Sequence, residues 1–248
     1  MQSDFFLFEV LIVLLAGFFH GVVGFGFPMI ATPLFVLFLD LKQAVLYTLF
    51  PTLVTNVVSL KKANSFRDIW QEFWLLILSV MVGSVVGTYL LVAHYSHYYK
   101  LILAGVMLFY LNKERLHFSL TRVVEEQKGF ATLLMGFLSG LVGGMANIMS
   151  PVLIMLILEF KLDKKRAIGV MSFCFIANKT LQILIFGYHG SFNWDNSALI
   201  MLFVLISLIG FWSGNKIHER IDEKRYTTIL NSLLWVISFY LIFSTFYM

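Results

Sequence analysis

A single lysine, Lys179, stands in the middle of an apolar run from about 163 to 188, flanked by Asn178 and followed by Gln182. On a helix, Lys179 and Gln182 are i, i+3 neighbours and Asn178 and Gln182 are i, i+4 neighbours, so the three give one polar flank. An ammonium at that depth costs roughly 2.5–3.5 kcal/mol on insertion scales. No acidic residue lies between Lys165 and Asp195 to repay it locally. The chemistry such a group offers is capture or gating of an anion; the structural alternative is that it snorkels or pairs with neutral groups. A second run, 42–60, carries Thr48, Thr52, Thr55 and Ser59 at helical spacing with Asn56 beside them, a stripe able to line a hydrated path or to glue helices together. His20, deep in the first apolar run, is a candidate proton carrier or a neutral structural histidine.

Two glycine-rich stretches in separate apolar runs read almost alike: Gly17-Phe-Phe-His-Gly-Val-Val-Gly24 and Gly136-Phe-Leu-Ser-Gly-Leu-Val-Gly143, with Ser139 where the first has His20. Gly21, Gly24 and Gly26 on one side and Gly140, Gly143 and Asn147 on the other are candidate tips of broken helices. Thr32-Pro33 and Ser150-Pro151 follow them, each fitting an N-cap with proline at the first helical position; starts at Pro28 and Asn147 remain open. A free helix N-terminus presents about half a positive charge and unpaired N–H groups, and two of them near Lys179 would attract a small anion. Duplicated glycine breaks point to the substrate site of two-repeat transporters.

The elements that must hold these residues are membrane helices. The 248 residues are 59% hydrophobic and 13% charged, against about a quarter charged in soluble domains. Mean hydropathy is +0.85. Apolar runs fall at about 5–39, 42–60, 70–93, 98–112, 128–160, 163–188, 194–215 and 225–247. The first and fifth exceed the roughly 20 residues of one crossing. Split at the glycines they leave arms of about 12–15 residues, which read as half-helices.

Loop charges fix the topology. If the broken runs cross once, seven Lys and Arg face ten; if each returns to its own side, fifteen lie on one face and only Lys42 and Lys100 on the other. The positive-inside rule selects the second arrangement. The expectation is an all-α polytopic membrane protein with two inverted repeats, about 5–112 and 128–247, each a broken hairpin plus three transmembrane helices, about eight segments in one domain 1–248. Both termini would be extracytoplasmic, in the inner membrane, with the first segment retained because Asp4 and Glu9 replace a basic leader. Copies extend past the breaks: Lys42-Gln-Ala-Val resembles Lys165-Arg-Ala-Ile, Asn56 falls opposite Asn178, and Gly83/Gly87 opposite Gly210/Gly214, small pairs suited to helix packing. Trp70, Trp74, Trp194, Tyr95, Tyr98 and Tyr99 suit an interfacial belt. Cys174 suits a small packing residue.

The paired Gly-Phe-x-x-Gly-x-x-Gly stretches, Ala31-Thr-Pro-Leu34 and the asparagines of the following helices resemble the sulfite exporter TauE/SafE family over nearly the whole chain. The resemblance implies a secondary transporter of a small anion such as sulfite or a sulfonate. Gly143-Gly144-Met-Ala-Asn147 departs from the family's longer glycine run. The substrate-binding candidates are therefore Lys179, Asn178, Asn56, His20, Gly21, Gly24, Gly26, Thr32, Ser139, Gly140, Gly143, Asn147, Ser150, Thr52 and Gln182, with one repeat rocking against the other. An anion channel is the alternative; an enzyme would need a carboxylate pair, metal cluster or Ser–His set, and none is spaced for it. No cofactor, metal or nucleic-acid partner is expected; the partners are a small anion and the bilayer, with a homo-oligomer left open.

Overall fold

The computed structural model describes residues 2–63, 66–93, 98–112, 115, 121–192, 197–217 and 223–247, and every regular element among them is a helix. In chain order these are α1 (Gln2–Val23), α2 (Phe27–Val36), α3 (Leu41–Ala63), α4 (Phe66–Ala93), α5 (Tyr99–Asn112), α6 (Thr121–Ala146), α7 (Ser150–Glu159), α8 (Lys164–Tyr188), α9 (Ser197–Ile217) and α10 (Glu223–Tyr247). Lys113 and Arg220 of the counted loop cations, and Tyr95 and Trp194 of the belt, lie outside the described residues.

Six helices, α1, α3, α4, α6, α8 and α9, carry windows long and apolar enough to cross a bilayer. The chain is a polytopic helical membrane protein. Its outer surface is apolar where a soluble protein would be charged: Leu7, Val82, Leu133, Leu205 and Ile209 all stand exposed. Polar side chains are instead gathered inside, with Lys179 among the largest fully buried residues.

Each long run is interrupted, but later than most of the glycines and not into the two arms of about 12–15 residues expected from the sequence. α1 has 22 residues and α2 has 10; α6 has 26 and α7 has 10. Gly17, Gly21, Gly136 and Gly140 lie in continuous helical turns, α6 being kinked only earlier, at Gln127. They mark close approach: a Cβ on Gly21 would overlap the Phe211 carbonyl oxygen of α9, and one on Gly140 that of Val80 on α4. Without side chains between them the backbones meet directly, as small residues allow in lipid. Gly83, Gly87, Gly210 and Gly214 are the facing halves of the same two seams, which makes them packing residues.

The actual breaks are Gly24-Phe-Gly26 and Asn147-Ile-Met149. Gly24 and Gly26 take φ of 94° and 98°, and Asn147 takes 61°, left-handed values that glycine and asparagine tolerate best. That geometry corrects the capping expectation. α2 starts a full turn before Thr32-Pro33, with Gly26 at its N-cap and Pro28 in the first turn. Ser150 is the first residue of α7 rather than its cap, and Met149 occupies the cap position without a side-chain bond. Neither Thr32 nor Ser150 is a capping residue, because the reversal is complete before each is reached. α3 runs through Pro51 unbroken, and Thr55 Oγ1 donates to the Pro51 carbonyl at 2.8 Å.

α1 packs along α9 and α6 along α4, while α3 lies on α8 and α5 on α10. Two apolar clusters fill the interior. Phe27 at the start of α2 and Ile148 share one; Met149 belongs to the other, with Phe25 packed against it.

Candidate functional site

Asn147 is the hub. Its left-handed backbone at the α6–α7 break aims the side chain at three helices. Nδ2 donates to Thr32 Oγ1 of α2 and to Thr48 Oγ1 of α3, both at 2.7 Å. Oδ1 accepts from Lys179 Nζ of α8. Thr48 can receive that bond because its own hydroxyl proton goes to the Ala44 and Val45 carbonyls at 2.9 Å.

Lys179 is 1% exposed. Its second partner is Gln182 Oε1, one turn along α8. Gln182 in turn donates Nε2 to the Gly144 and Gly143 carbonyls at 3.1 and 3.3 Å, which are among the last acceptors of α6 before its break. The buried ammonium thus sits between two neutral amides. Among the described residues no carboxylate pairs with it. Neutral oxygens satisfy its donors but leave its charge uncompensated, and that is costly in a medium of low dielectric.

Around this hub lie buried polar groups with open valences. Asn178 donates Nδ2 to Ser84 Oγ of α4 at 2.7 Å, yet its Oδ1 has no partner. Asn56 turns Nδ2 back to the Thr52 carbonyl at 2.8 Å, leaving its Oδ1 and Thr52 Oγ1 unpaired. Ser150 and Ser172 hydroxyls are likewise partnerless. Such groups ordinarily find a partner in water or a ligand.

Not every candidate joins this set. His20 Nε2 meets Ser59 Oγ at 3.1 Å on α3, with its ring edge against Phe211 at 5.6 Å. Ser139 returns its hydroxyl to the Met135 carbonyl of its own helix at 2.6 Å. Gly24 stands near His20, bonding its N–H to the His20 carbonyl at 2.7 Å; Gly26 caps α2. The repeat register also shifts. Asn56 and Lys179 each stand fifteen residues after the first residue of their helices, so Asn178 is level with Thr55 rather than with Asn56. Thr48 and Ser84 were missed as partners. Thr48 was visible in the hydroxyl stripe, whereas nothing in the sequence separates Ser84 from other serines of apolar helices.

A cavity of about 320 Å³ opens where α1, α3, α8 and α9 meet, lined by Gly21, Gly24, Ser59, Lys62, Lys164 and Lys165 among others. Neither Lys179 nor Asn147 lines it. Among the described residues no group of three or more His, Cys, Asp or Glu is placed to hold a metal ion.

The family model described as "Sulfite exporter TauE/SafE" matches residues 9–241. Neither a curated protein nor a solved structure matches the chain.

Proposed function

The chain belongs to the sulfite exporter TauE/SafE family of membrane transporters, and from that membership we propose that it is a secondary carrier for a small sulfur-containing anion bound beside Lys179. One observation carries the assignment: a fully buried ammonium whose partners, Asn147 and Gln182, are both neutral. An anion entering there supplies the missing charge, and the unpaired hydroxyls of Thr52 and Ser150 can donate to its oxygens, while the open Oδ1 atoms of Asn178 and Asn56 accept from bound water. The substrate and its bound water satisfy together what the protein leaves open.

The architecture proposed is two inverted repeats, α1–α5 and α6–α10, in one domain. The packing supports it: exchanging the repeats turns the α1–α9 contact into α6–α4, and returns α3–α8 and α5–α10 to themselves. That is how a two-fold relation treats equivalent elements. Fifteen loop cations against two support an orientation with the basic face in the cytoplasm and both termini outside a cell membrane. Burial of Lys179 favours a carrier over an open channel, because a conducting pore keeps its selective groups in contact with water.

The test is flux in proteoliposomes. Lys179→Gln keeps two hydrogen-bonding groups and removes the charge; it is expected to abolish saturable sulfite uptake and counterflow while the purified protein keeps its melting profile. Lys179→Arg, too large for the amide pocket, is expected to transport poorly as well. Wild-type flux through Lys179→Gln would overturn the site.

A further inference from the structure

The cavity between α1, α3, α8 and α9 has no part in the site above, and its chemistry is specific. Three lysines line it and no acidic residue does. The neighbouring cation Arg166 is neutralised by Glu72, and Asp163 spends its carboxylate on the Arg166 backbone N–H at 3.0 Å. Among the described residues no carboxylate pairs with Lys62, Lys164 or Lys165. Lys62 is nonetheless held in place: its Nζ lies 4.6 Å from the Phe211 ring centre and 4.5 Å from that of Trp212.

The wall itself is mostly apolar, with Val22, Ala63, Ile168 and Phe211, and it carries one buried hydroxyl. Ser59 lines the cavity at 3% exposure and is bonded to His20, whose Nδ1 has no partner. Gly21 and Gly24 border the cavity as well. At about 320 Å³ it far exceeds the roughly 10–15 Å³ needed for one water, so an ion and part of its hydration shell fit.

We propose that this cavity is a second anion site, taking an oxyanion group of sulfur or phosphorus between Lys62, Lys164 and Lys165, with the Ser59 hydroxyl beneath it. The group is either a free ion waiting at the basic mouth or the headgroup of an anionic lipid; both present the same oxygens to the same ammonium groups. The site shares no residue with the Lys179 cluster and stands whether or not that cluster binds substrate.

The experiment is binding of radiolabelled sulfate to the full chain carrying Lys179→Gln, so that the inner site cannot contribute. In nanodiscs of phosphatidylcholine, sulfate is expected to bind saturably and to weaken as sodium chloride rises. Lys164→Gln with Lys165→Gln is expected to lower the affinity about tenfold, as the loss of two exposed charge contacts within their usual range of strength would. Lys164→Arg with Lys165→Arg, which keeps both charges, is expected to retain most of it. Phosphatidylglycerol discs distinguish the sources. If sulfate fails in neutral discs while phosphatidylglycerol stays bound to the purified protein and is lost in the double Gln variant, the occupant is the headgroup. Absence of both sulfate and lipid binding, or binding that the double Gln variant leaves unchanged, overturns the proposal.

Discussion

Asn147 does three things at once: it turns the chain at a positive φ, ties α2 to α3 through two threonine hydroxyls, and offers its carbonyl oxygen to Lys179. Replacing it with aspartate keeps the shape and changes the charge. Asn147→Asp would give Lys179 an internal counter-ion. Flux is expected to fall to background because the positive charge is already paired, while the melting temperature stays near or above wild type, since the pair would relieve an uncompensated buried charge. Flux near the wild-type level would show that the ammonium is not what attracts the substrate. Lys179 itself was legible in the sequence, because a charge in an apolar run with no local acid has few structural explanations. The partners were less so. Asn147 stood out as a candidate tip just past the copied motif, where the chain departs from the family's glycine run, but its bond to Lys179 joins separate elements, and no spacing rule links residues 32 positions apart.

At the scale of helices, the glycine repeats carried a correct message in the wrong place. The sequence suggested that they break the chain, and it does break nearby, but Gly17, Gly21, Gly136 and Gly140 continue their helices and serve as contact surfaces. A glycine permits both a turn and a close approach, and only the neighbour decides which. The neighbours, α9 and α4, lie far along the chain from α1 and α6. Gly140→Ala puts a methyl group against the Val80 carbonyl, and Gly21→Ala does the same at Phe211. Each is expected to cost about 1–3 kcal/mol, as overpacking does in well-filled interiors, read as a lower melting temperature and a lower yield of folded protein in detergent. Gly105, where a Cβ meets nothing within 4 Å, is the control: Gly105→Ala is expected to leave both unchanged. Equal loss at all three positions would mean that these seams are not tight.

For the whole molecule, the testable quantity is which face each loop occupies. Cys174, the single cysteine, is buried, so introduced thiols can be read against a silent background. Lys61→Cys sits on the face assigned to the cytoplasm and Lys100→Cys on the opposite one. A membrane-impermeant maleimide applied to intact cells is expected to label the second and spare the first until the membrane is opened. The reverse pattern would invert the topology, and labelling of both from outside would dismantle it. The helical, membrane-spanning character of the chain was legible because apolar runs are a local property, whereas among the described residues six helices rather than about eight segments are long and apolar enough to cross. The residues at which the two reversals fall were not legible, since a glycine's choice between a turn and a close approach depends on contacts that sequence periodicity does not encode.

The seams also decide what can travel as a unit. Each joins one helix from either half of the chain: α1 is fitted against α9, and α6 against α4, at backbone distance. Neither half can therefore swing as a block without prising open both joints. An opening stroke that spared these joints would carry α1 with α9 and α6 with α4 as hybrids, and would have to act elsewhere, such as where α3 rests on α8. Crosslinks within a hybrid would then be harmless, whereas a staple between α3 and α8 would arrest the machine.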